Sequence, residues 1–136
     1  MGIKIGIDPD VDKSGVCIIE DKKIIFLGCC SFFDLIDVLY DHHHAVIYIE
    51  AGWLNKTSNY HVTNGNVRIA ANIGSKVGSN ATIGKLLEQY CIKHQIVYRL
   101  IKPTGHKWKA DFFRKVTGWD GRTNEEMRDA VRACWG

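Results

Sequence analysis

The sequence predicts an α/β protein on a five-stranded mixed sheet, an antiparallel meander continued by parallel strands, with helices on both faces. Three observations carry this. Ile3, Ile5 and Ile7 alternate with Gly2, Lys4, Gly6 and Asp8, the period of a strand with one apolar face. Two more apolar runs follow across short polar turns, which makes a meander. From Ser31 onward, apolar residues at helical spacing alternate with short apolar runs, which makes crossovers and parallel strands.

The first strand ends at Asp8, because Pro9 has no N–H for the ladder. Gly6 leaves room above the sheet on the face that Asp8 shares. Residues 10–15, rich in Asp, Ser and Gly, read as a turn. Residues 16–19 and 24–27 are the next two strands, joined by a charged hairpin at Glu20–Lys23. Ser31-x-x-Asp34 is a capping box, and Phe32, Leu35, Ile36 and Leu39 continue it as a helix. His42, His43 and His44 close that helix. Consecutive positions do not share a helix face, so they read as exposed histidines at a C-terminus rather than as metal ligands. Residues 45–50 form an apolar strand ending in Glu50, parallel to its neighbour because a helix crosses over before it.

Residues 51–79 show no dominant period and are rich in Gly, Asn, Ser and Thr, with Trp53, Tyr60 and His61 among them. They read as a long functional or mobile loop with a short helical piece at Val67–Ala71. Residues 80–90 are a helix with Ile83, Leu86, Leu87 and Tyr90 on one face. Gly84 inside it costs about 1 kcal/mol against alanine, which a close packing contact would explain. Residues 96–101 are the fifth strand, ended by Lys102-Pro103-Thr104. A helix from Lys107 through Val116 carries Trp108, Phe112 and Lys115 at helical spacing and stops at Thr117-Gly118. Residues 123–135 are the last helix, with an apolar stripe of Met127, Ala130, Val131 and Cys134. This order of elements is that of the ribonuclease H-like fold.

A chain of 136 residues is expected to be one domain, 1–136, with a sizeable core. No apolar run approaches the ~20 residues of a membrane span, and no signal peptide is apparent, which points to the cytoplasm. Five cysteines without a CxxC pair argue against zinc ribbons and thioredoxin chemistry, and for reduced, mostly buried thiols. Residues 1–50 hold 4 Lys/Arg against 9 Asp/Glu, whereas residues 51–98 hold 5 against 1 and residues 99–136 hold 9 against 5. Acidic strand ends beside a basic remainder suit a protein that holds metal ions and a polyanion together; a solvated basic surface would look the same from charge alone.

Phosphodiester hydrolysis by two metals needs hard oxygen ligands converging on ions about 3.5–4 Å apart. Asp8 and Glu50 fall side by side if their strands are neighbours, at the C-terminal strand ends where α/β sheets place their sites. Glu126 and Asp129, three residues apart on the last helix, are further candidates. Glu126 also completes a Thr123-x-x-Glu126 capping box, and Asp129 can instead pair with Arg128 or Arg132. A helical wheel puts Asp129 away from the apolar stripe, on the outer side of a helix at the core's margin. An aromatic such as Trp53 beside a basic channel can stack on an unpaired base, unless it is a core anchor. Lys102, Lys107, Lys109, Arg114 and Lys115 can neutralise phosphates.

Taken together, these segments resemble the RuvC-type Holliday junction endonucleases, closest in style to the RuvC-like resolvases of phages. Gly6-Ile7-Asp8-Pro9 with Ser14-Gly15 resembles the family's opening, and Tyr48-Ile49-Glu50 its second acid. Ile83-Gly84-Lys85, Lys102-Pro103-Thr104 with Lys107, and Glu126-x-x-Asp129-Ala130 resemble its later segments. The resemblance spans essentially the whole chain. It implies a crossover junction endodeoxyribonuclease in which Asp8, Glu50, Glu126 and Asp129 hold two Mg2+ or Mn2+ ions. Trp53 would wedge into the junction and Lys107 would lie near the scissile phosphate. The near-twofold symmetry of a four-way junction implies a homodimer. Asp10 in place of a glycine, Glu126 in place of an aspartate and the long loop after Glu50 are departures from the pattern. Two other classes compete: a branched-DNA-binding protein that does not cut, and a nucleotide-binding domain of the actin-like or sugar-kinase type, which shares the Gly-Ile-Asp strand.

Overall fold

The computed structural model describes residues 2–55 and 67–136, with residues 67–71 and 73 described by backbone alone. Tyr60 and His61 lie outside the described residues. The elements in order are β1 (Ile3–Asp8), β2 (Ser14–Glu20), β3 (Lys23–Cys30), α1 (Phe32–Asp41), β4 (Val46–Glu50), α2 (Val67–Lys93), β5 (Tyr98–Ile101), α3 (Ala110–Thr117) and α4 (Glu125–Cys134).

The sheet runs β3-β2-β1-β4-β5, with β1, β2 and β3 antiparallel and β1, β4 and β5 parallel. Ile7 pairs with Ile49, so Asp8 and Glu50 follow side by side at matching ends. The hairpin between β2 and β3 turns at Asp21 and Lys22, both at positive φ (51° and 64°), the twist-compatible two-residue turn. Ser31 caps α1 by accepting from the Asp34 N–H. His42 caps its C-terminus, its ring held on the Val38 carbonyl, while His43 and His44 are exposed.

The two faces of the sheet feed two cores, and β2 serves both, with Val16 and Ile18 in one and Cys17 and Ile19 in the other. Ile5 and Ile7 pack with Leu35 and Leu39 of α1 and Leu87 and Cys91 of α2. On the opposite face Cys17 and Ile19 pack with Phe113 of α3 and with Ala130, Val131 and Cys134 of α4. All five cysteines are free, and only Cys29 is not buried.

Four expectations change. Residues 72–79, expected as loop, instead join the short helical piece expected at Val67–Ala71 to the helix expected at 80–90, in one 27-residue helix, α2. Gly74, Ser75, Gly78 and Ser79 dilute its apolar period, and packing of its C-terminal half onto the sheet carries the rest. The third helix starts at Ala110, so Lys107 stands in the loop before it; Phe113 is its buried aromatic and Phe112 is exposed. The last helix is capped by Asn124, which accepts from the Met127 N–H, not by Thr123. Thr123 instead accepts from Arg128, so Glu126 has no capping duty. The space above Gly6 is filled: a Cβ there would lie 2.0 Å from the Ala130 carbonyl oxygen. Gly15, beside it on β2, faces the Glu126 carbonyl in the same way, at 2.1 Å. Two glycines on neighbouring strands thus seat the α4 backbone directly on the sheet.

Candidate metal centre

That seat fixes the position of α4 along β1 and brings Asp129 over the strand tips. Asp8, Glu50 and Asp129 offer carboxylate oxygens that all lie within 4.8 Å of one another. Asp129 is only 4 % exposed, although the wheel places it off the apolar stripe. What buries it is not the core but the other acids and two cations. Lys107 Nζ donates to its Oδ2 at 2.5 Å, and Arg132 Nη1 to its Oδ1 at 3.5 Å. Of the two arginines that could pair with Asp129, Arg132 does so. Arg128 turns away, its Nε donating to the Trp108 carbonyl at 2.8 Å and its Nη1 to Thr123. Arg128 thereby ties the segment that bears Lys107 to α4.

Glu126 is half-buried and stands outside the tight group, though its charge adds to the repulsion on Asp8. Its neighbour Glu125 bonds Lys107 at 3.2 Å, a partner that spacing alone did not single out.

The cluster is short of positive charge. Burial first, then the carboxylates of Glu50 and Asp129, push the Asp8 carboxyl up to about 8, with Lys107 opposing. Burial and then Asp129 push Glu50 up to about 7, opposed by Lys107 and Arg132. Burial alone would lower Lys107, but its bond to Asp129 and that charge outweigh burial and raise it above the ordinary lysine value. Three convergent hard oxygen donors, two of them with raised pKa because their negative charges are crowded and buried, fit a divalent cation such as Mg2+ or Mn2+.

Shallow clefts flank the acids on either side. One, of about 160 Å3, is lined by Asp8, Pro9, Glu50, Trp53 and Asn80. Asn80 fastens α2 to the turn after β1 by accepting from the Val11 N–H at 2.8 Å. Trp53 lines this cleft but is also a packing residue. Its six-membered ring lies so close to Gly84 that a Cβ there would come within 2.3 Å, the contact expected to justify a glycine in α2. The other cleft, of about 90 Å3, is lined by Glu50, Lys102, Thr104, Asp129 and Arg132. Arg132 Nη2 donates to Thr104 Oγ1 at 2.5 Å, so it bridges the chain after β5 to Asp129. The Asp129-x-x-Arg132 spacing was the sequence signal for half of this bridge; Thr104 stood out only within the Lys102-Pro103-Thr104 segment, with no sign of its bond to Arg132. Lys102, Lys109, Arg114 and Lys115 are exposed and, among the described residues, are not bonded to the acids.

No helix among the described residues is long and apolar enough to cross a membrane. No protein-family model and no curated protein matches the sequence. Among solved structures, the chain is similar to Thermus thermophilus RuvC in complex with a Holliday junction substrate. The TM-score is 0.61 at 13 % identity, covering 98 % of this chain and 90 % of that one. A second Thermus thermophilus RuvC structure aligns with TM-score 0.55 at 13 % identity, covering 96 % and 90 %. The five-stranded mixed sheet and its flanking helices therefore form the ribonuclease H-like fold of RuvC.

Proposed function

We propose that this protein is a structure-selective endodeoxyribonuclease that resolves Holliday junctions or related branched DNA by divalent-metal-dependent hydrolysis, leaving 5′-phosphate and 3′-hydroxyl ends. One observation carries the reading: Asp8, Glu50 and Asp129, from two parallel strand tips and a C-terminal helix, converge within 4.8 Å at an open cleft. The fold shared with a RuvC that was solved on a Holliday junction substrate supports the choice of DNA over other phosphodiesters.

Asp8, Glu50 and Asp129 would hold Mg2+ or Mn2+, with Glu126 at the margin available to a second ion. Bound ions supply an activated water and charge stabilisation at phosphorus and at the leaving 3′-oxygen. Lys107, bonded to Asp129 and about half exposed, can also reach a phosphate oxygen beside the acids. Lys102, Lys109, Arg114 and Lys115 neutralise flanking phosphates, which makes binding salt-dependent. Trp53, lining the cleft, offers a ring edge to an unstacked base at the branch point. Two cuts on a near-twofold junction need two sites, so the working unit is a homodimer.

The test is a labelled four-way junction incubated with the protein and Mg2+ or Mn2+. Paired nicks are expected with wild type and none with Asp8→Asn; equal cleavage by both would end the proposal. Tight junction binding in EDTA without turnover in any metal would favour the non-cutting alternative.

A further inference from the structure

The three carboxylates are not equivalent. Asp129 has both oxygens engaged by internal cations, Lys107 on Oδ2 and Arg132 on Oδ1. Each cation has a second anchor on the chain. Lys107 also meets Glu125 at 3.2 Å, and Arg132 also meets Thr104 Oγ1 at 2.5 Å. Asp8 and Glu50 have no such bond among the described residues. The cluster is thus divided into an open half at the strand tips and a half already closed by the protein's own charges.

Both closing groups are also the chemistry that binds phosphate. Arg132 has further N–H groups beyond the two in use, and lines the cleft with Lys102 and Thr104. Lys107 is 48 % exposed at its side chain. A phosphodiester entering this cleft brings oxygens that both cations can bind in place of the carboxylate.

Resting on the metal-dependent reading above, we propose that Lys107 and Arg132 are built-in counter-cations that hold Asp129 closed until a DNA phosphate takes them over, so that the complete carboxylate set opens to a divalent ion only with substrate in place. Metal and DNA then bind with positive coupling, and by linkage each raises the other's affinity by the same factor. Off its substrate the protein carries a weakened metal site.

The experiment measures Mn2+ affinity of the DNA-free protein by calorimetry, independently of turnover. Arg132→Gln and Lys107→Met are each expected to bind Mn2+ at least about fivefold more tightly than wild type. Arg132→Lys should fall near wild type, because it keeps the charge. Lys102→Gln is the control for charge in general: Lys102 lines the same cleft without touching Asp129, and its loss should leave Mn2+ affinity within about twofold. Should Arg132→Gln destabilise the fold, Lys107→Met carries the test alone, since that side chain is half exposed. A second measurement follows a labelled four-way junction by anisotropy in EDTA and in Ca2+. The Ca2+-induced gain in affinity should be larger for wild type than for either variant. Unchanged or weaker Mn2+ affinity in both variants, or an equal rise in Lys102→Gln, overturns the inference and leaves the nuclease reading standing. Mn2+ binding that is absent from wild type both with and without the junction, or unaffected by Asp8→Asn, overturns that reading and the inference with it.

Discussion

Gly6→Ala is the substitution whose consequence follows most directly from the packing. Its new methyl carbon would sit 2.0 Å from the Ala130 carbonyl oxygen and 2.8 Å from Cys134 Sγ, where ordinary contact begins near 3.4 Å. About 1.4 Å must be found, and the obstacle on one side is helix backbone and on the other a central strand. Neither is the free end of a side chain, so the cost belongs at the upper end of the overpacking range, about 3 kcal/mol. For a domain of this size that lowers Tm by about 10 °C. The same displacement lifts Asp129 away from Asp8 and Glu50, and loss of ligand placement should weaken Mn2+ binding about tenfold or more. The assay pairs urea denaturation with Mn2+ calorimetry, using Gly2→Ala, which meets nothing within 4 Å, as the neutral comparison. A Gly6→Ala protein with wild-type midpoint and wild-type Mn2+ affinity would refute the claim that this glycine seats α4.

Other expectations are independent of that one. The raised carboxyl groups mean that the native state holds protons the unfolded chain has lost between about pH 4 and pH 7 for Glu50, and up to about 8 for Asp8. In EDTA this stability is fully present below pH 4 and lost as pH rises through those values, so Tm should fall from pH 5 to pH 9. Asp8→Asn should flatten that fall while abolishing cleavage, and added Mn2+ should raise the wild-type Tm most at pH 8; a pH-independent Tm in EDTA would contradict the crowding of the acids. Arg128→Met removes the bonds to Trp108 and Thr123, and should cost about 1–3 kcal/mol by urea midpoint and lower kcat through a misplaced Lys107. Lys22→Gly relieves a positive-φ residue (φ 64°) in the β2–β3 turn and should raise stability by up to about 1 kcal/mol, read as a higher Tm with unchanged cleavage.

What the sequence made legible was whatever rests on local period and strand order. The apolar runs ending in Asp8 and Glu50 announced two buried strands, and the helix between them announced that they run parallel, so the side-by-side acids followed. Gly84 announced a close contact, and Trp53 supplies it. Less legible was whatever depends on a partner distant in sequence. Asp129 looked peripheral because a wheel measures distance from apolar neighbours, whereas its burial comes from Asp8, Glu50, Lys107 and Arg132. The stretch of α2 from 72 to 79 was hidden because its glycines and serines have poor intrinsic preference for the conformation they adopt. Phe113 rather than Phe112 faces the core, set by packing against Cys17, Ile19 and α4, and α3 begins three residues later than its periodicity implied, with Lys107 left in the preceding loop to reach the acids.

The acids that meet above the tips of the central strands are spread along the chain at positions 8, 50 and 129. A growing chain that has reached only the end of β5 carries two of them and no third. The cluster comes into being only when the last helix emerges and settles on its pair of glycines. Incomplete or prematurely terminated copies therefore lack the grouping altogether, and the competence of the centre is a direct report on whether translation reached the end of α4.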